Sequence, residues 1–156
     1  MPGIEEHKRL CGLVSGLTAG GLACLDPGAS FFQVAFETTG GVVAGRSAAA
    51  LPDIVDPANC WAHRGIGHAI LPAGAALTYV AESIPAWQKA CREQARLAEA
   101  ALAVATTPME RAWQFCLAAL WYMAAGAFVG APMGYVVHLL QDGQTPQGLP
   151  LLMRGF

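Results

Sequence analysis

Four histidines punctuate a chain that is otherwise poor in charge: His7, His63, His68 and His138. His63 and His68 stand in the string HRGIGH, which begins ten residues beyond Asp53, and His138 opens HLLQD, which closes on Asp142. Neutral imidazole and carboxylate are the ordinary ligands of Zn2+, Mn2+ and Fe2+, and a ligand set without cysteine puts Zn2+ first. A divalent cation held by such a set lowers the pKa of water to about 7, which is the chemistry of hydrolysis. His138 and Asp142 are four residues apart, so on a helix they project from one face. His68 and His138 fall within apolar segments, where an unpaired imidazole is costly. Plainer roles exist for several neighbours. His7 alone would be a solvated residue, and Asp56 beside Pro57 a turn residue. Arg64 would pair with Asp53 or Asp56, and Tyr135 would simply pack.

Whether these residues meet depends on the elements that carry them. Four apolar segments are legible: Leu10 to Leu25, closed by the turn string DPG; Phe31 to Leu51, stopped at Pro52; Ile66 to Ala81, continuing as a more polar helix; and Glu110 to Gln141, ending near Gly143. A proline disfavours helix in the residue before it, hence the stop at Pro52. Gln88 to Val104 is amphipathic and rich in the helix formers Ala, Glu, Arg and Leu. Thr107-Pro108 followed by Glu110 is a helix-start signal. The pattern predicts an all-α fold: an antiparallel bundle of about four main helices plus a shorter amphipathic helix, in a single domain over 1–156. Run alternately up and down, the segments bring His7, Asp53, His63, His68, His138 and Asp142 to one end.

Composition narrows the setting. The chain is 54% hydrophobic and only 13% charged, against about 25% charged in an average soluble domain. Mean hydropathy is +0.41 and the pI near 6.0. A net charge of −2 leaves no nucleic-acid footprint, with a thin basic cluster at Lys89, Arg92, Arg96 and Arg111. Five cysteines, an odd number without a CxxC pair, argue against a disulfide scaffold. Glu5 and Glu6 interrupt what would be the basic region of a signal peptide, so a cleaved signal is not expected. The last segment carries no formal charge between Arg111 and Asp142, long enough to cross a hydrocarbon core of about 30 Å. The second carries Glu37 and Arg46, so it is buried in protein, shallow, or not spanning. Glycines recur at four-residue spacing as Gly12, Gly16 and Gly20, as Gly41 and Gly45, and as Gly126, Gly130 and Gly134. Such ridges let helices approach closely, as they do in membranes. Membrane lipid is therefore the expected partner, with a homo-oligomer or another protein as further candidates.

At these residues the chain resembles the YdjM-type family, described as LexA-binding, inner-membrane-associated metal-dependent hydrolases. The resemblance runs through His7 in EEHKRL, LPDIVDP at 51–57, HRGIGHA at 63–69 and GYVVHLLQDGQTPQGLPLL at 134–152. It covers the chain from end to end, and the last string is the most specific. Val55 stands where the family pattern has a second aspartate, with Asp56 beside it; Gly67 and Ala69 replace a threonine and a serine. The resemblance implies a helical hydrolase at the bacterial inner membrane. Its metal would be held by Asp53, His63, His68, His138 and Asp142, with His7 as an additional ligand. Asp56 is then a candidate base or outer-shell acid, and Arg64 a contact for an anionic substrate. The pattern is also similar to the all-helical zinc-dependent phospholipase C and nuclease class, which implies a phosphoester substrate. The alternative is a non-catalytic helical membrane or partner-binding protein, with a structural metal or none.

Overall fold

The computed structural model describes residues 4–55 and 69–144, and every regular element among them is helical. The elements are α1 (Ile4–Cys24), α2 (Phe31–Ala48), α3 (Leu51–Val55), α4 (Ile70–Val104) and α5 (Pro108–Gly143).

Local chemistry accounts for most of the boundaries. α1 opens with Glu5 and Glu6 in its first turn, where carboxylates complement the positive end of the helix dipole. It starts before Leu10, so His7 lies within the helix. The chain reverses through Asp26–Gly28, with Gly28 at a φ of 79°, a region that favours glycine. Ser30 then caps α2 by accepting a hydrogen bond from the Gln33 amide at 3.0 Å. The second segment ends earlier than its proline implies. α2 stops at Ala48 and a new short helix, α3, begins at Leu51 with Pro52 in its first turn, where a missing N–H costs nothing. Thr107 and Glu110 form a complete capping box at the start of α5, with Pro108 opening the helix.

The amphipathic stretch Gln88–Val104 is not a separate helix. It is the second half of α4, which runs 35 residues through Pro85. α4 and α5 are therefore each about 53 Å long, and α1 and α2 about 30 Å. α5 is the hub of the bundle: α1, α2, α3 and α4 all pack on it, and α1 packs on α2.

Glycine sets the closeness of this packing. Gly126, Gly130 and Gly134 of α5 face the backbones of Glu37, Gly41 and Gly45 of α2, in that order. The order shows that α2 and α5 run parallel. A Cβ on Gly130 would collide with the Gly41 backbone, which has no flexible end to yield. Gly12, Gly16 and Gly20 of α1 face Val42 and Thr38 in the opposite sense, so α1 and α2 are antiparallel.

The interior is made of small residues. Ala19, Ala23, Ala95, Ala118 and Ala125 are buried with Cys11 and Ser15. The large apolar side chains point outward: Leu13, Leu17, Phe31, Val43, Leu120, Trp113 and Leu140 are all more than half exposed. Soluble folds place such side chains inside far more often. α5 is long and apolar enough to cross a membrane, and only 39% of its most apolar 18-residue window is buried within the bundle.

Candidate metal centre

The start of α1, the short α3 and the end of α5 meet at one end of the bundle. The ligand atoms of His7, His138 and Asp142 all lie within 4.8 Å of one another. The His7 and His138 rings meet edge to face with centroids 4.6 Å apart. His138 Nε2 is 3.5 Å from Asp142 Oδ2 and 3.7 Å from Asp53 Oδ1. Bonds of about 2.0–2.2 Å to a tetrahedral ion place ligand atoms roughly 3.4 Å apart. Both separations have the span of such a ligand–ligand edge. The His7 Nε2 is buried and has no hydrogen-bond partner among the described residues, as expected of a nitrogen that waits for an electrophile. The donor set therefore has the chemistry and spacing to hold a metal ion.

Electrostatics also suit a ligand role. Burial, and then the neighbouring His138, hold the His7 pKa below its ordinary 6.5, while Asp142 and Asp53 pull the other way. The net effect keeps the ring neutral, the form that binds metal. His138 is 3% exposed, the side chain of Asp142 15% and that of Asp53 49%. Among the described residues the cluster is thus buried on the α5 side and more exposed on the α3 side.

Of the residues singled out in the sequence, His7, Asp53, His138 and Asp142 are brought together here. Asp56, His63, Arg64 and His68 lie outside the described residues, as do the strings HRGIGH and TPQGLP. Two neighbours had no sequence signal. Cys11 lies one turn beyond His7 and is fully buried, with its Sγ 3.6 Å from Gln141 Oε1. A groove of about 460 Å3 opens beside the cluster, lined by Glu6, His7, Arg9, Leu10, Leu13 and Gln141.

A second polar centre lies towards the other end. Glu37, fully buried on α2, accepts a fork of two hydrogen bonds from Arg92: Nε to Oε1 at 2.8 Å and Nη2 to Oε2 at 2.7 Å. Gln33 donates to Glu37 Oε1 at 2.9 Å and to Asp26 Oδ2 at 2.8 Å, and Arg96 reaches the same Asp26 oxygen at 2.6 Å. Half of the thin basic cluster is thus internal wiring. Glu37 is the case of a charge buried in protein. The described cysteines, Cys11, Cys24, Cys91 and Cys116, are all free thiols.

The chain matches no protein-family profile, no curated protein and no solved structure.

Proposed function

We propose that the protein is a membrane-associated, metal-dependent hydrolase acting on a phosphoester. The carrying observation is the trio of His7, His138 and Asp142 at metal-ligand spacing at the end of the bundle, with Asp53 3.7 Å from His138 Nε2. His7, His138 and Asp142 would hold the ion, with Asp53 completing the set. A divalent cation there would supply Lewis-acid polarisation of water and of a phosphoryl oxygen. The protein's part is to hold His7 neutral, to keep the α5 side dry, and to present the more exposed Asp53 side to substrate. In the overall reaction water adds its oxygen to phosphorus, the ester P–O bond breaks, and the departing alcohol takes a proton. The resemblance to the YdjM-type family adds Asp56 as a base, Arg64 as an anion contact, and His63 and His68 as further ligands. It also points to the bacterial inner membrane. The outward-facing large apolar residues and the length of α5 support a lipid environment.

The trio also joins α1 to α5, which favours a second reading in which a structural metal staples two helices without catalysis. Elemental analysis of protein purified without a metal-affinity tag tests both. About one zinc, manganese or iron per chain is expected, and His138→Ala should abolish it. Absence of metal, including after addition of zinc, refutes both readings. Full occupancy in His138→Ala refutes the ligand assignment. Metal without turnover of any phosphate mono- or diester supports the staple.

A further inference from the structure

The groove beside the cluster has two chemical ends. His7, Glu6, Arg9 and Gln141 form a polar end against the candidate metal centre, and Leu10 and Leu13 form an apolar one. Leu10 is 44% and Leu13 55% exposed, so neither is covered by the bundle. Arg9 makes no ion pair or hydrogen bond among the described residues. Its neighbours do: Lys8 is 3.8 Å from Glu5, and Arg46 donates to Glu5 at 2.6 Å. A smaller depression lined by Glu5, Glu6, Arg9 and Arg46 adjoins the groove, so Arg9 is its uncommitted cation.

On α1, α2 and α5 the apolar end continues into a band free of exposed charge, while the exposed Glu82, Lys89 and Glu93 stand on α4. No charged residue stands on α1 between Arg9 and Asp26, and none on α5 between Arg111 and Asp142. On α2 the only charges are the fully buried Glu37 and Arg46 in the last turn. From Arg9 to the end of α1 at Cys24 the helix rises about 23 Å, against a hydrocarbon core of about 30 Å. Leu13 and Leu17 stand on the outside of this band, 55% and 66% exposed. The candidate metal centre then sits at the level of lipid phosphates, with the groove running from it into the acyl region.

We propose that this groove takes a single membrane lipid bearing a phosphate-monoester headgroup, its phosphate between Arg9 and His7 and its acyl chain along Leu10 and Leu13. Charge complementarity selects the occupant: a guanidinium without a partner among the described residues, which matches phosphate oxygens in a fork, lies beside the candidate cation site. This inference deepens the hydrolase reading by naming its substrate class, and rests on that reading for turnover and for the cation beside the phosphate.

The test is binding of dioctanoyl phosphatidic acid to the full chain in detergent, followed by native mass spectrometry. Glycerol 3-phosphate serves as the chainless control and dioctanoylglycerol as the headless one. The phosphatidic acid should bind at least tenfold tighter than either. Arg9→Gln should lose at least tenfold for the phosphatidic acid. Leu13→Asn should weaken the lipid and leave glycerol 3-phosphate unchanged. Glycerol 3-phosphate binding as tightly as the lipid would make this a soluble-phosphate site and overturn the proposal. Equal binding of dioctanoylglycerol would overturn the headgroup assignment, as would an Arg9→Gln protein that binds like wild type. The comparison of three ligands on the wild type needs no variant to fold. Lipid bound with these dependencies but never hydrolysed, with zinc or manganese added, would refute the hydrolase and leave the lipid site standing.

Discussion

Replacing Arg92 by methionine isolates the largest electrostatic commitment in the fold. Glu37 is fully buried and the Arg92 side chain 14% exposed. Two unit charges about 4 Å apart attract by about 4 kcal/mol at an effective dielectric constant of about 20. Removing each ion from water costs several kcal/mol, so the intact pair adds little net stability. Breaking it is another matter. In Arg92→Met, Glu37 keeps its hydrogen bond from Gln33 and loses both guanidinium bonds, and a buried carboxylate left in that state costs about 3–5 kcal/mol. Arg92→Met/Glu37→Gln removes the charge along with its partner and should cost about 2 kcal/mol or less, by the same balance. The assay is equilibrium unfolding in detergent, followed by circular dichroism, for the wild type, both single variants and the double variant. A loss below about 1 kcal/mol in Arg92→Met, or a double variant that shows the full sum of the singles, would refute the account of a buried, coupled pair.

Gly130→Ala should destabilise by about 1–3 kcal/mol or more, because its new Cβ meets the Gly41 backbone; Gly74→Ala, where a Cβ meets nothing within 4 Å, is the control in the same unfolding assay, and equal effects would rule out the close seam. Glu110 has its pKa held below the ordinary 4.5, first by the hydrogen bond from the Thr107 amide and then by that from Thr106. A depressed carboxylate contributes stability that is complete above its unfolded pKa and lost as pH falls through its folded one. The start of α5 should therefore loosen only below about pH 4.5. Amide exchange in 106–111 across pH 3–6 checks this, and an unchanged Glu110→Ala profile would contradict it.

The bundle was legible because its signals are local. Glu5 and Glu6, the Asp26–Gly28 turn, and Thr107 with Glu110 each mark a helix boundary by their own chemistry. Pro52 misled because a proline is equally at home in the first turn of a new helix, which is where α3 uses it. Pro85 gave no break at all: α4 passes through it, joining two stretches that differ in polarity but not in helicity. The meeting of His7, Asp53, His138 and Asp142 followed from alternation of segments, since helix ends are the one part of a bundle that topology alone brings together. The Glu37–Arg92 pair did not follow, because its partners lie mid-helix and 55 residues apart, where their meeting depends on rotation about two helix axes. The groove at Arg9 was hidden for a similar reason: its walls come from the outer surface of α1, which no periodicity distinguishes from any other apolar face.

The parallel seam between α2 and α5 acts as a ruler. Its pairs advance in step, Glu37 with Gly126, Gly41 with Gly130 and Gly45 with Gly134. α2 ends at Ala48, and α3 then carries Asp53 to 3.7 Å from His138 Nε2. Backbone is pressed on backbone along the glycine seam, so no side chain can rotate to absorb a shift. A slip of one helical turn, about 5.4 Å, would carry Asp53 clear of His138. The gauge that spaces the ligands is therefore cut largely in residues that have no side chains, beginning one turn from His138 at Gly134.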